Sequence, residues 1–191
     1  MPTVQVLCDG IVVRDGPRIV DASSTVTLVR MGESLIVVDT GARSRSEMLV
    51  TALAAADVRP EEVDALVNTH LHTDHCGCNE MFANAVKFAH PREDSPIGTI
   101  AAVEGTAIGE GVTVIETPGH TEGSITVLVE AEARYAICGD ALPTKANYES
   151  HTPPAVHVDR RLAVLGMERV ISVADVVVPG HDAPFRVIGK K

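Results

Sequence analysis

Three histidines and an aspartate fall within six residues in Thr69-His70-Leu71-His72-Thr73-Asp74-His75. Imidazole nitrogens suit zinc and related divalent ions, and a carboxylate completes a borderline-hard ligand set. Packing alone is a poor reason for such a cluster. In a loop that follows a strand, alternate residues can project to one side. His70 and His72 can then share one ion, while Asp74 and His75 turn toward a second. Distant positions extend the set. Pro118-Gly119-His120 supplies a third nitrogen for the first ion, and Pro179-Gly180-His181 a second nitrogen for the other. Gly139-Asp140 supplies a carboxylate that can bridge both. A glycine before each of these three ligands lets the chain turn tightly. Each ion keeps an open position for water. The expected cofactor is two Zn2+ per chain, with Fe or Mn accepted by the same ligand types. The expected chemistry is hydrolysis by a metal-bridging hydroxide, the ions about 3.5–4 Å apart and the water's pKa near roughly 7. Asp74 is the catalytic candidate, able to orient the water or accept its proton.

These residues need a rigid frame, and the apolar pattern provides one. His70, His120, Asp140 and His181 each follow the end of an apolar strand, where loops held by a scaffold carry chemistry. Strands are expected over residues 3–13, 24–31 and 34–38, with Gly32-Glu33 as the hairpin turn between the last two. Further strands are expected at 63–68, 86–89, 112–116, 124–130, 134–138, 175–178 and 185–188. Residues 44–56 read as a helix capped by Ser44 and Glu47, with Leu49, Ala52, Leu53 and Ala56 inward. Pro60-Glu61-Glu62 starts a helical turn. Residues 157–172 read as a second helix, with Val158, Leu162, Leu165 and Val170 inward. Strands alternating with covering helices indicate a layered α/β domain spanning residues 1–191. Asp39 ends the strand beside that of His70 and is expected to support the ligands from behind.

The 191 residues are 45% apolar but only 3% aromatic, so Val, Ile, Leu and Ala must fill the core. A formal net charge of −10 disfavours nucleic acid in general, although bound ions can reverse the field locally. No block of Lys or Arg suggests a nucleic-acid arm. Met1-Pro2-Thr3-Val4 lacks a secretory pattern and no stretch spans a bilayer, so a cytoplasmic protein with no membrane partner is expected. Cys76 and Cys78 are too close for an ordinary disulfide and are expected to be reduced and packed under the site, with Cys138 in the core.

The spacing His70-x-His72-x-Asp74-His75, followed by His120, Asp140 and His181, resembles the metallo-β-lactamase superfamily. Asp39-Thr40-Gly41 and Thr117-Pro118-Gly119-His120-Thr121 look like its flanking motifs. The resemblance covers nearly the whole chain. It implies a four-layer αββα sandwich with the metals at one edge. Val26-Thr27-Leu28-Val29-Arg30, the segment from Val173 to His181, and Pro184-Phe185-Arg186-Val187 look like one subgroup of compact single-domain hydrolases. Its animal member is associated with cleavage of histone RNA precursors.

Within the family, a bridging Asp140 looks unlike true β-lactamases and more like thioester hydrolases, lactonases and RNA-cleaving members. The chain stops soon after His181, without the helical domain of glyoxalase II-like enzymes. It also lacks the long insert of the large RNA-processing members. His72 stands where flavin-coupled diiron relatives have Glu. A small-molecule ester, thioester or lactone is the expected substrate. RNA or another phosphodiester is one alternative, and a mono-iron sulfur dioxygenase another. Oligomeric state is left open by the sequence. Residues 141–156 are expected to form a loop over the site, where Lys145, Asn147 and Tyr148 could meet a substrate carboxylate or phosphate. His90, His151 and His157 read as structural or surface residues. Arg43 and Arg45 read as solvated residues at a helix start.

Overall fold

The computed structural model describes residues 1–189. In chain order the strands begin with β1 (Thr3–Cys8), β2 (Ile11–Asp15), β3 (Arg18–Ser23), β4 (Val26–Met31) and β5 (Ser34–Val38). After helix α1 (Ser46–Ala55) come β6 (Ala65–Val67), the single turn α2 (Thr73–Cys76) and β7 (Val86–Ala89). Then follow β8 (Ile100–Ala101), β9 (Ala107–Gly109), β10 (Val112–Glu116), β11 (Ile125–Glu130) and β12 (Arg134–Gly139). Helices α3 (Lys145–Ser150) and α4 (Arg160–Val173) precede β13 (Val176–Pro179) and β14 (Phe185–Arg186). One sheet has the order β1-β4-β5-β6-β7-β8 and the other β14-β13-β12-β11-β10-β9; β2 and β3 form a separate hairpin.

Three clusters of buried side chains define the layers. Val29, Ile36, Val38, Val67, Val114, Val127, Ile137 and Val178 fill the space between the sheets. Leu28, Val37 and Leu66, one residue out of step, pack with Leu49 and Leu53 of α1. Leu128, Ala136, Cys138 and Val177 pack with Met167 and Val170 of α4. Successive side chains of a strand face opposite ways, so sheets covered on both faces read as continuous aliphatic runs. The result is the expected αββα sandwich. Met167 is fully buried. Replacing it by Ala should cost about 2–5 kcal/mol in a denaturant titration. A cost under about 1 kcal/mol would contradict this packing.

Topology aligns the ends that matter. β5 and β6 are parallel, as are β12 and β13. β10 is antiparallel to β11, and β11 to β12, so β10 runs with β12. Thus the strands preceding Asp39, His70, His120, Asp140 and His181 deliver them in matching directions within each sheet. Backbone bonds then join the two sheets at this edge. Ile125 N donates to Thr69 O at 2.9 Å, and Thr25 N to Gly180 O at 2.7 Å.

Several local expectations need correction. Residues 3–13 are not one strand: the chain breaks at Asp9-Gly10, and β2 turns back into an unforeseen β3 through Gly16, whose φ is +59°. The first helix starts later than Ser44, after a 3-10 turn over Arg43–Arg45, with no side-chain cap. Its inward face is as expected, with Leu49 and Leu53 buried. The long C-terminal helix runs from Arg160 to Val173, capped by the Asp159 carboxylate accepting from Leu162 N at 3.0 Å. Its buried face is Ala163, Gly166, Met167 and Val170, while Val158, Leu162 and Leu165 are exposed. Small residues face inward because the helix lies close to the backbone before His120: a Cβ on Gly166 would lie 3.3 Å from Pro118 O. The short strands β8 and β9 were also unforeseen. Among the described residues no helix is long and apolar enough to cross a membrane.

Candidate metal centre

The chain leaves β6 through Asn68 and Thr69, both buried, and presents His70 and His72 before α2 turns Asp74 and His75 inward. All seven residues expected from the sequence meet here. His72 Nδ1 stands 3.1 Å from His70 Nε2 and 3.0 Å from His120 Nε2. On the other side, His181 Nε2 stands 3.4 Å from His75 Nε2, 3.6 Å from Asp74 Oδ2 and 3.2 Å from Asp140 Oδ1. Asp140 faces both sets: Oδ1 is 3.5 Å from His75 Nε2 and Oδ2 is 3.4 Å from His120 Nε2. His70, His72 and His120 form one group able to hold an ion, and Asp74, His75 and His181 another.

The donor set can be tested for fit. A tetrahedral zinc with bonds of about 2.0–2.1 Å separates its ligand atoms by roughly 3.3–3.4 Å. The observed spacings lie near that value. Asp140 Oδ1 is buried and makes no well-aligned hydrogen bond. A buried carboxylate oxygen left without a partner is costly, and a cation would relieve it. The residues present therefore fit a pair of divalent ions.

Three of the five imidazoles are held from behind by a close acceptor. His75 Nδ1 faces Asp39 Oδ2 at 2.8 Å. His120 Nδ1 faces Val156 O at 2.7 Å, and His181 Nδ1 faces Ile11 O and Ser23 O at 3.0 and 3.1 Å. A ring nitrogen that donates outward leaves its partner's lone pair pointing at the centre. Asp39 supports His75 rather than its expected neighbour His70. It sits at φ +56°, and its carboxylate also accepts from Thr69 N at 2.8 Å and Thr69 Oγ1 at 2.7 Å. The β2–β3 hairpin missed in the sequence is what supplies both acceptors for His181.

Burial pushes His70 well below the ordinary imidazole range, helped by His75. Burial likewise lowers His120, against the pull of Asp140. Burial would lower His75 as well, but Asp39 and Asp140 facing it raise it to about 10. His181 follows the same pattern and is raised by Asp140. Burial would raise Asp140, yet His181 and His75 hold it well below the usual carboxylate range. So a proton on His75 helps to balance Asp140 when no ion does, and cation binding must displace it.

The glycines before the ligands act in two ways. Gly139 has φ +48°, and a Cβ there would meet Thr69 Oγ1 at 2.2 Å. Gly180 needs no special φ. Its role is close approach, because a Cβ would sit 2.2 Å from Asp140 Oδ1.

Other expectations resolve as structure. Residues 141–156 contain α3 instead of a plain loop. Lys145 pairs with Glu149 at 3.3 Å, Asn147 donates to Thr152 O and Pro153 O, and Tyr148 Oη accepts from Ile188 N. The segment meets the site at two points: Val156 O faces His120 Nδ1, and Pro143 O accepts from His181 N at 2.7 Å. His90 contacts Glu116 at 3.2 Å, His151 contacts Glu168 at 3.4 Å, and His157 contacts Pro154 O at 2.8 Å, all away from the ligands. Arg43 pairs with Glu80 at the surface, while Arg45 holds Asp21 of the hairpin at 2.8 Å. Cys76 and Cys78 are free thiols that contact Leu71 O and Ala42 O. Burial, chiefly, raises both thiols above their ordinary range. A cavity of about 840 Å3 touches Leu71, Thr73 and Cys76 but none of the seven ligands. Glu93, on the loop after β7, was invisible in the sequence: its carboxylate accepts from Leu71 N at 2.9 Å and Thr121 Oγ1 at 2.6 Å.

Comparison with known proteins agrees with this geometry. The family model described as the metallo-beta-lactamase superfamily matches residues 20–98. A probable metallo-hydrolase of Methanocaldococcus jannaschii is 33% identical over 179 residues, 94% of this chain and 86% of the relative. Metallo-beta-lactamase domain-containing protein 1 of Xenopus laevis is 31% identical over 201 residues, 97% of this chain and 82% of the relative. Among solved structures, a Thermotoga maritima protein assigned to the metallo-beta-lactamases superposes with a TM-score of 0.77 at 20% identity, covering 97% of this chain and 99% of that one. An N-acyl homoserine lactone hydrolase, with N-hexanoyl-L-homoserine at its catalytic metal centre, superposes with a TM-score of 0.74 at 20% identity, covering 95% and 92%. With sandwich, ligand cluster and relatives in agreement, the chain belongs to the metallo-beta-lactamase superfamily. It is a metal-binding hydrolase of that superfamily, and the subgroup its sequence resembles is that of metallo-beta-lactamase domain-containing protein 1.

Proposed function

We propose that His70, His72 and His120 hold one divalent ion, that Asp74, His75 and His181 hold a second, and that Asp140 bridges them. Zinc is the preferred metal for this nitrogen-rich set. We further propose that the reaction is hydrolysis of a small lactone, thioester or ester. The observation that carries the reading is Asp140: one oxygen faces His75 and His181, and the other faces His120.

When bound, such an ion pair supplies Lewis acidity and a water activated near neutral pH. The chain's own residues do the rest. His70 and His75 are fully buried, whereas His72 is exposed and the Asp74 side chain is 26% exposed. Substrate therefore approaches from the side of His72 and Asp74. Asp74 Oδ2 faces His181, and its carboxylate can take the proton of the attacking water at this mouth. Asp39, Val156 O, Ile11 O and Ser23 O fix the rings of His75, His120 and His181, so these three need not reorient during turnover. The solved lactone hydrolase with the product N-hexanoyl-L-homoserine at its catalytic metal centre supports the substrate class. A net charge of −10 weighs against a polyanion.

Metal-loaded protein assayed on N-acyl lactones, thioesters, phosphodiesters and RNA tests this reading. Lactone or thioester cleavage that stops with a chelator and returns with zinc is the expected result. Cleavage of RNA alone would replace the substrate class. Oxygen uptake from a persulfide with one iron per chain would replace the chemistry.

A further inference from the structure

We propose that Glu93 is the positioning residue for the His70–His72–His120 half of the site, a claim that rests on the two-ion reading above. All three nitrogens of this half come from two loops that belong to different sheets. His70 and His72 follow β6, and His120 follows β10. Leu71 lies between the first two ligands and Thr121 follows the third. Glu93 Oε2 accepts from Leu71 N at 2.9 Å, while Oε1 accepts from Thr121 Oγ1 at 2.6 Å. One carboxylate thus spans both loops and touches neither a ligand nor the position of an ion.

Its surroundings are arranged to keep it there. Glu93 N donates to His90 O at 3.0 Å, and Ser95 N donates to Glu93 O at 2.8 Å, so its own backbone is pinned. Thr121 Oγ1 lies 2.7 Å from Ser124 Oγ, which fixes the hydroxyl between two partners. Gly123 faces the side chain: a Cβ there would lie 2.7 Å from Glu93 Oε1 and 2.9 Å from its Cγ. Gly123 has no positive φ to explain it, so room for this carboxylate is what the glycine provides.

The other half of the site has its own support in Asp39, which holds His75. Asp39 reaches His75 directly and His70 only through Thr69, whereas both Glu93 bonds fall on the loops of the three-histidine half. Partners behind metal ligands are typically worth about 10–100-fold in metal affinity. Loss of Glu93 should weaken the three-histidine site by that factor and leave the Asp74–His75–His181 site within about threefold. A general packing defect would weaken both.

The test is 113Cd NMR on the full chain with two cadmium equivalents, combined with chelator competition. His120→Ala and His181→Ala serve to assign the two resonances. Glu93→Ala removes both acceptors at once; Thr121→Val breaks the same bridge from the other end. Both variants should release the ion of the three-histidine site at about 10–100-fold lower chelator concentration, with the second resonance unmoved. Unchanged release from both sites, or equal loss from both, overturns the proposal. A wild-type chain that takes up fewer than two ions shows its failure before any substitution. It overturns the two-ion reading and, with it, the selectivity claimed for Glu93.

Discussion

Replacing Asp140 by Ala should reduce turnover by at least about 10^3-fold while leaving the metal-free fold nearly unchanged. The two effects separate because of what Asp140 touches. Its Oδ1 makes no well-aligned hydrogen bond, and its hold on the fold is through charge on His75 and His181. Burial of that carboxylate is itself unfavourable, and only His75 and His181 offset it. With the carboxylate gone the facing imidazoles can revert to their neutral form, so no buried charge is stranded, and the metal-free variant should unfold within about 1–2 kcal/mol of the parent. Metal binding should tell a different story. Without a shared carboxylate the two halves are independent, and occupancy should fall toward one ion. Electrostatic help from a metal pair is worth several kcal/mol, and each factor of ten needs about 1.4 kcal/mol. Steady-state kinetics with zinc in excess, beside thermal unfolding with chelator present, measures both. Full activity would remove Asp140 from the bridge, and gross unfolding would make it a structural residue.

Asp39→Ala should behave in the opposite way, with a large loss of stability even in the absence of metal. Three buried donors end on this carboxylate: Thr69 N, Thr69 Oγ1 and His75 Nδ1. Each buried group left unsatisfied costs about 1–3 kcal/mol. The backbone adds to this, since Asp39 has φ +56° and alanine tolerates that region less well. A total of at least about 4 kcal/mol is expected, which for a chain of this size lowers Tm by roughly 8–16 °C. Asp39→Asn keeps an acceptor for Thr69 N and the tolerance for positive φ, so it should recover about half of the loss. Its zinc affinity at the His75 half should still fall about 10–100-fold. A Tm within 3 °C or so of the parent for the alanine variant would contradict the hydrogen-bond network described here.

The ligands could be read from sequence because their chemistry is carried by residue type and by position after a strand. His70, His120, Asp140 and His181 follow aliphatic runs that are buried on both faces, and such runs mark central strands. What escaped notice depends on tertiary approach. The inner face of α4 is built from Ala163 and Gly166 because the helix lies against the Gly119 backbone; a Cβ on Gly119 would meet Ala163 N at 2.1 Å. Counting bulk hydrophobicity instead selects Leu162 and Leu165, which are exposed. The β2–β3 hairpin has weak, half-exposed strands, yet its two-residue turn Gly16-Pro17, with glycine first, is a signal that could have located it. Glu93 had no such signal. A single glutamate in a loop acquires meaning only when two other loops fold onto it. Asp39 fell between these cases: its position beside the His70 strand was readable, but its choice of His75 depends on how α2 turns.

The central claim is that one chain holds two divalent ions through seven residues, one of them a shared carboxylate. Titration of metal-free protein with zinc, followed by calorimetry and checked by elemental analysis after dialysis, addresses it most directly. The account predicts two equivalents bound per chain, with proton release as His75 gives up the proton that helps to balance Asp140. Binding of a single equivalent, or none, would contradict it.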